Sequence, residues 1–148
     1  MMGQFGGDMQ KHYKIILTEE QARVISNACE IVSRVMSGQH KSALDILPWN
    51  ESLSQDLYDL HEMVTKFLRE RKSLKMGVDG WTSSLGIANH ETPEDAKIAF
   101  DIHQVIRHRI AWDNHVEGES TMYVSFDTPY LVSKSEIMEM ELVEGCDE

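Results

Sequence analysis

The stretch Thr18–Gly38, TEEQARVISNACEIVSRVMSG, decides how the chain is read. Thr18 and Gln21 form a capping box, in which the Thr hydroxyl accepts a free backbone N–H of the first turn and the Gln side chain reaches back to the N–H of the cap. Ile25, Ala28, Cys29, Val32, Val35 and Met36 follow at helical spacing, which predicts an amphipathic helix that places them in the core. Gly38 is a natural C-terminal stop because glycine enters the left-handed region without steric cost.

Working outward, Tyr13–Leu17 is a short β-prone run, and residues 1–10 read as a flexible lead with three glycines and no periodicity. On the other side, a short helical piece over Lys41–Leu47 ends before Pro48. Ser52 and Gln55 repeat the capping box, and Leu53, Leu57, Leu60, Val64, Phe67 and Leu68 predict a second long helix. Its basic end, Lys66, Arg69, Arg71, Lys72 and Lys75, suits the negative pole of a helix. Gly77–His90 lacks periodicity and is long for a connection, as functional loops often are. Thr92 as cap, Pro93 in the first turn and the acids Glu94 and Asp95 open a third long helix running to about Trp112. Its expected core face is Ala99, Ile102, Val105, Ile106 and Ile110. Thr121–Phe126 alternates in the manner of a half-buried strand and is expected to pair with Tyr13–Leu17. The expected fold class is therefore α+β: mainly helical, three long helices with a small antiparallel sheet formed by N- and C-terminal strands. Residues 1–10 form the lead, 11–130 a single domain and 131–148 a peripheral acidic C-terminal tail.

The formal charge of -11 is concentrated at one end. From Glu117 onward nine acidic residues face the single base Lys134, whereas Lys11–His115 carries fifteen acids and thirteen bases. The central part is close to neutral and has room for a local basic pocket, while the tail repels long polyanions, so no duplex nucleic acid is expected as a partner. Cys29 and Cys146 form no disulfide framework or CxxC motif, and no apolar run approaches the roughly 20 residues of a membrane span. A cytoplasmic protein with no membrane partner is the expectation.

Chemistry-bearing patterns are incomplete. His103 and His108 are five apart and point to different helix faces, and His61-Glu62 lacks the second histidine of a zinc-protease motif, since Thr65 stands there. No nucleophile elbow, phosphate loop or dinucleotide glycine pattern is present. Neither an enzyme, a cofactor nor a metal site is expected; were catalytic groups to converge from distant segments, His61, His103 and Asp101 would supply them. The set that suggests binding is Arg23 and Arg34 on the first helix, Trp81 and Asn89 in the glycine-rich loop, and Arg107 and Arg109 on the third helix. Arg23, Asn27, Glu30 and Arg34 share one helix face, which is either a solvated stripe with Glu30 paired to Arg34 or one wall of a site. A ring to stack on, an amide to read a base edge and guanidinium groups to grip phosphate are the parts of a nucleotide pocket.

The stretches Leu17–Ala22, Ser33–Gln39 and Ala99–Trp112 look like those of small proteins of tailed phages, with the similarity spanning about Lys14–Trp112. A short strand, arginine-bearing helices and a returning strand resemble the anti-Thoeris sponge family, whose members sequester cyclic ADP-ribose-type signals; related sponges take up cyclic oligonucleotides. The resemblance implies a phage anti-defence protein acting in the bacterial host cytoplasm, a homo-oligomer with ligand pockets between subunits that binds the signal without cleaving it. Arg34 and one of Arg107 or Arg109 would correspond to phosphate-binding arginines, with Trp81 and Asn89 as base contacts. The long acidic tail has no counterpart in that family. The alternative is an acidic phage or host interaction protein whose tail blocks a basic nucleic-acid-binding surface.

Overall fold

A computed structural model of the chain describes residues 12–43, 54–70 and 85–143. Three helices occupy them: α1 (Glu19–Met36), α2 (Ser54–Glu70) and α3 (Glu94–Asp113), with short 3₁₀ turns at His40–Ala43 and Val124–Phe126. The start of α1 follows from its capping box, since Thr18 Oγ accepts from the Gln21 N–H at 3.2 Å and Gln21 Oε1 from the Thr18 N–H at 2.9 Å. Its end is a Schellman turn, in which the Gln39 N–H reaches the Arg34 carbonyl at 2.8 Å and the Gly38 N–H the Val35 carbonyl at 3.1 Å. Gly38 sits at φ 107, the left-handed conformation that this closure requires.

α1 and α3 are the principal packed pair. They run antiparallel: Glu19 at the start of α1 lies by Asn114 at the end of α3, and Ser26 meets His103 farther along. The α1 surface against α3 is Ala22, Ser26 and Ser33, all buried, and α3 answers with Ala96, Ala99, Ile106 and Ile110. Two serines on this side of α1 satisfy their hydroxyls within the helix, Ser33 on the Glu30 carbonyl at 2.8 Å and Ser37 on the Arg34 carbonyl at 3.0 Å. They therefore act as small, internally satisfied side chains, and the helix backbones can come close.

The core face expected for α1 needs correction. Ile25, Ala28 and Val32 are exposed, Val32 by 44%, and Val24 beside them by 67%. The apolar stripe exists at the expected spacing, but the small-residue face at its side is what α3 selects. On α3 the expected face is closer to what is found: Ala99, Ile106 and Ile110 are buried, and Ile102 packs against the cluster of Ala22, Ile106 and Ile110. No residue from Ala96 to Ala111 is fully exposed, so α3 is the central element. Thr92 does not cap it. Pro93 is the cap residue, and Thr92 instead donates its hydroxyl to the Gly86 carbonyl at 2.8 Å, closing a turn that Leu85 ties to the end of α1 through the Ser37 carbonyl. Among the described elements α2 packs on the 3₁₀ turn at His40–Ala43; the Ser52 cap lies outside the described residues.

The expected sheet is also overturned. Among the described residues there is no β-strand. Tyr13–Leu17 is exposed and forms no regular element, and its neighbourhood is the wrong one for the proposed pairing: His12 Nε2 lies 3.9 Å from Glu136 and Lys14 makes a loose ion pair with Glu141 at 4.0 Å. Val124–Phe126 is a 3₁₀ turn docked on the end of α3, where Phe126 meets Trp112 edge-on, ring centroids 5.1 Å apart, and the Ser125 carbonyl lies 3.2 Å from His108 Nδ1. The alternating residues of this run serve a single turn against a helix end, so no strand remains to form a ladder. The described fold is helical.

The acidic remainder, expected to be peripheral, lies against α3 as far as Met140. Asp101 accepts the Val132 N–H at 2.9 Å, the Ser133 N–H at 3.0 Å and the Ser133 hydroxyl at 2.5 Å, and Glu94 accepts the Lys134 N–H. Met138 and Met140 then cover the Ala22–Ile106–Ile110 cluster. No helix among the described residues is long and apolar enough to cross a membrane.

Two expectations follow for stability. Ile106→Ala should cost about 2 to 5 kcal/mol in denaturant unfolding, because the site is closed by α1 on one side and the methionines on the other. Asp101→Ala should cost about 1 to 3 kcal/mol and release residues 130–143 selectively, seen as loss of amide exchange protection there while α1 and α3 stay protected.

Candidate functional site

Antiparallel packing sets two polar stripes facing each other on one side of the α1–α3 seam. α1 contributes Arg23, Asn27, Glu30 and Arg34, and α3 contributes His103, Arg107, Ala111 and Asn114, each series advancing by three or four residues. A cleft of about 330 Å³ opens between them, lined by Arg23, Ser26, Asn27, His103, Arg107 and Asn114, with Ser125 of the second 3₁₀ turn at its edge.

The arginines in and around this cleft differ in what already holds them. Arg23 donates from Nε to Glu19 at 2.8 Å, Arg34 from Nε and Nη2 to Glu30 at 3.0 and 2.7 Å, and Arg109 from Nε to Asp113 at 2.9 Å. Each of these carboxylates lies one helical turn away, the spacing at which such pairs form. Arg107 has His103 and Ala111 at those positions and no acid. Its Nη2 donates to the neutral Gln104, and its Nε is buried with no acceptor among the described residues. A buried guanidinium N–H left without an acceptor is costly, and a shift of the side chain toward an anionic oxygen in the cleft would satisfy it.

His103 connects the two walls. Its Nδ1 is 2.9 Å from Ser26 Oγ and 3.1 Å from the Ser26 carbonyl oxygen. Burial holds its imidazole below the usual histidine range; Glu30 and the Ser26 carbonyl act against that shift, while Arg107 and Arg34 add to it. These interactions place Glu30, Arg34 and Arg107 in one electrostatic neighbourhood around the ring. Asn114 Nδ2 donates to the Ile110 carbonyl at 3.0 Å, and the Glu19 carboxyl is held below its ordinary value first by its hydrogen bond from Arg23 and then by one from the Asn114 amide.

Of the residues picked from sequence, Arg107 lines the cleft and Arg34 stands beside it, bound to Glu30 and, through Nη1, to Gln39 at 3.0 Å. Arg109 does not join them: it lies on another face, in a bidentate pair with Asp113 that raises its pKa. Asn89 is spent locally, its Oδ1 accepting the Glu91 N–H at 2.8 Å in the turn before α3. Trp81 lies outside the described residues. Ser26, Asn114 and Ser125 were not singled out from sequence. For Asn114 a signal existed, in the His103–Arg107–Ala111–Asn114 series; Ser26 and Ser125 carry none, because only the packing brings them to the cleft. His103 and Asp101, named as candidate catalytic groups, are separated in role, one in the cleft and the other holding Val132 and Ser133.

The chemistry available is recognition of an anion: guanidinium N–H groups, an imidazole, side-chain amides and a hydroxyl. Among the described residues no group of three or more His, Cys, Asp or Glu is placed to hold a metal ion. The Cys29 thiol is pushed up by burial, away from the reactive thiolate. Comparison with known proteins adds no relative: no family model, curated protein or solved structure matches the chain.

Proposed function

We propose that the protein binds a small phosphorylated molecule in the α1–α3 cleft and sequesters it without chemical change. The ligand class is the cyclic ADP-ribose-type or cyclic oligonucleotide immune signal of the family it resembles. The observation that carries the reading is the Arg107 Nε–H, buried without an acceptor among the described residues and sharing the cleft with Arg23 and His103. A cleft of about 330 Å³ falls within the range of small-molecule sites, at its smaller end. The described lining offers phosphate-gripping groups and no Trp, Tyr or Phe, so phosphate recognition is better supported than base stacking. Sequestration requires no nucleophile or metal, in keeping with the motifs the sequence carries.

Calorimetry with a cyclic ADP-ribose isomer tests this. The parent should bind, and Arg107→Ala should lose a charge-assisted hydrogen bond of roughly 1.5 to 3 kcal/mol, or about ten- to over a hundredfold in affinity, with an unchanged circular dichroism spectrum. Arg109→Ala should bind like the parent because its guanidinium belongs to Asp113. Undiminished binding by Arg107→Ala, or no binding of any cyclic nucleotide by the parent, would sink the proposal.

Self-association belongs to the same reading. The outward stripe of α1, with Val24 and Val32 exposed, is the apolar surface that supports it. Sedimentation velocity should show an oligomer that Val24→Glu with Val32→Glu dissociates; a parent that stays monomeric at about 100 μM, a concentration well above the Kd of a stable interface, removes this part.

A further inference from the structure

The cleft holds two permanent cations, Arg23 and Arg107, and one group whose charge depends on conditions, His103. Its geometry restricts the neutral ring. A carbonyl oxygen only accepts, so the 3.1 Å contact between His103 Nδ1 and the Ser26 carbonyl places the ring hydrogen on Nδ1. The Ser26 hydroxyl at 2.9 Å shares that edge of the ring. The neutral imidazole therefore carries its lone pair at Nε2, its remaining polar atom, in a cleft that also holds the Arg23 and Arg107 guanidinium groups. A phosphate oxygen meeting that lone pair is repelled. Once protonated, the same atom is a charged donor, and nothing at Ser26 has to move, because Nδ1–H donates in both states.

We propose that ligand capture is coupled to proton uptake at His103, so that a phosphate oxygen is held between the Nε2–H of an imidazolium and the Nε–H of Arg107, and the cleft binds anions more tightly in mildly acidic than in alkaline solution. The inference rests on the reading of the cleft as an anion site and deepens it: it makes His103 the residue that selects for negative charge.

The charges facing the ring set the direction of the coupling. From α1 they are Glu30, which favours the imidazolium, and Arg34, which opposes it; from α3 Arg107 opposes it; the turn at Val124–Phe126 brings only Ser125. In the free protein burial and the two arginines prevail and hold the ring below the usual histidine range. An anion between His103 and Arg107 offsets the arginine's charge and adds its own, which raises the proton affinity of the ring. The proton comes from the solvent. Affinity then grows as pH falls from the raised value in the complex to the depressed value of the free protein, by at most about tenfold per pH unit for one proton. Without ligand the sign is opposite: a histidine depressed by folding makes the fold less stable as pH falls through the ordinary histidine value toward its own.

Cyclic ADP-ribose suits the test because its pyrophosphate diester does not itself titrate near neutrality. Titration calorimetry at about pH 8, 7 and 6, at each pH in two buffers of different ionisation enthalpy, reads both affinity and protons taken up. For the parent the expected result is a net uptake of a fraction of a proton approaching one, with affinity rising about three- to tenfold per unit over part of that range. His103→Asn, whose amide nitrogen can stand in for Nδ1 as a neutral donor toward Ser26, should bind more weakly with no pH dependence and no proton uptake; His103→Gln, longer by one methylene, serves as a second variant if the first does not fold. Parent binding that is independent of pH, without proton uptake, overturns the coupling but leaves the cleft reading intact. Proton uptake undiminished in both variants overturns it as well, by placing the proton elsewhere. Absence of parent binding at every pH overturns the cleft reading and this inference together.

Discussion

The close approach of α1 to α3 is the constraint on which the other features depend. It requires that the side of α1 facing α3 carry small side chains, and Ala22, Ser26 and Ser33 meet that requirement. Serines on a buried face would ordinarily leave hydroxyls seeking partners. Here Ser33 uses a carbonyl of its own helix and Ser26 uses His103, so the seam contains no unanswered hydroxyl at either position. Burial of Ile106 and Ile110 against Ala22 supplies the apolar contact that holds the seam.

Once α3 is seated this way, its two flanks receive different tasks. On one flank the polar stripes of α1 and α3 form the cleft. On the other, Met138 and Met140 cover the isoleucines, and Asp101 holds the chain where it turns along the helix. The acidic end of the sequence is thereby used in two ways. Its methionines extend a small core, and some of its carboxylates face the bases His12 and Lys14, in exposed pairs of the kind that contribute little energy.

Charge distribution explains how a chain of net charge -11 can still present a cationic cleft. Three of the four arginines on α1 and α3 are neutralised by a carboxylate one turn away. Arg107 is flanked along its helix by a histidine, a glutamine and an alanine instead, so its charge is available to whatever enters from outside. Burial is the main reason that the imidazole beside it sits below the usual histidine range. The proposed anion recognition rests on this pair, a guanidinium with no carboxylate one turn away and an imidazole in the same cleft.

Local order in this chain is legible from sequence where it depends on neighbours in sequence. The Thr18–Gln21 box, the Gly38 stop, the three helices, the i to i+4 ion pairs and the shared face of Arg23, Asn27, Glu30 and Arg34 all follow from the helical period and from hydrogen bonds between residues a turn apart. The absence of an acid one turn from Arg107 is equally readable. What the period could not decide is which face of α1 turns inward: Ile25, Ala28 and Val32 and the Ala22, Ser26 and Ser33 series both recur at helical spacing, and the choice between them is made by the shape of α3. Nor could alternation at Thr121–Phe126 distinguish a strand from a turn, because a strand needs a neighbour at ladder distance, and the tertiary fold places α3 there instead. The meeting of Ser26 with His103, 77 positions apart, belongs to the same class. It exists only because two helices pack antiparallel at one register, and that register is a property of the surfaces in contact rather than of either segment alone.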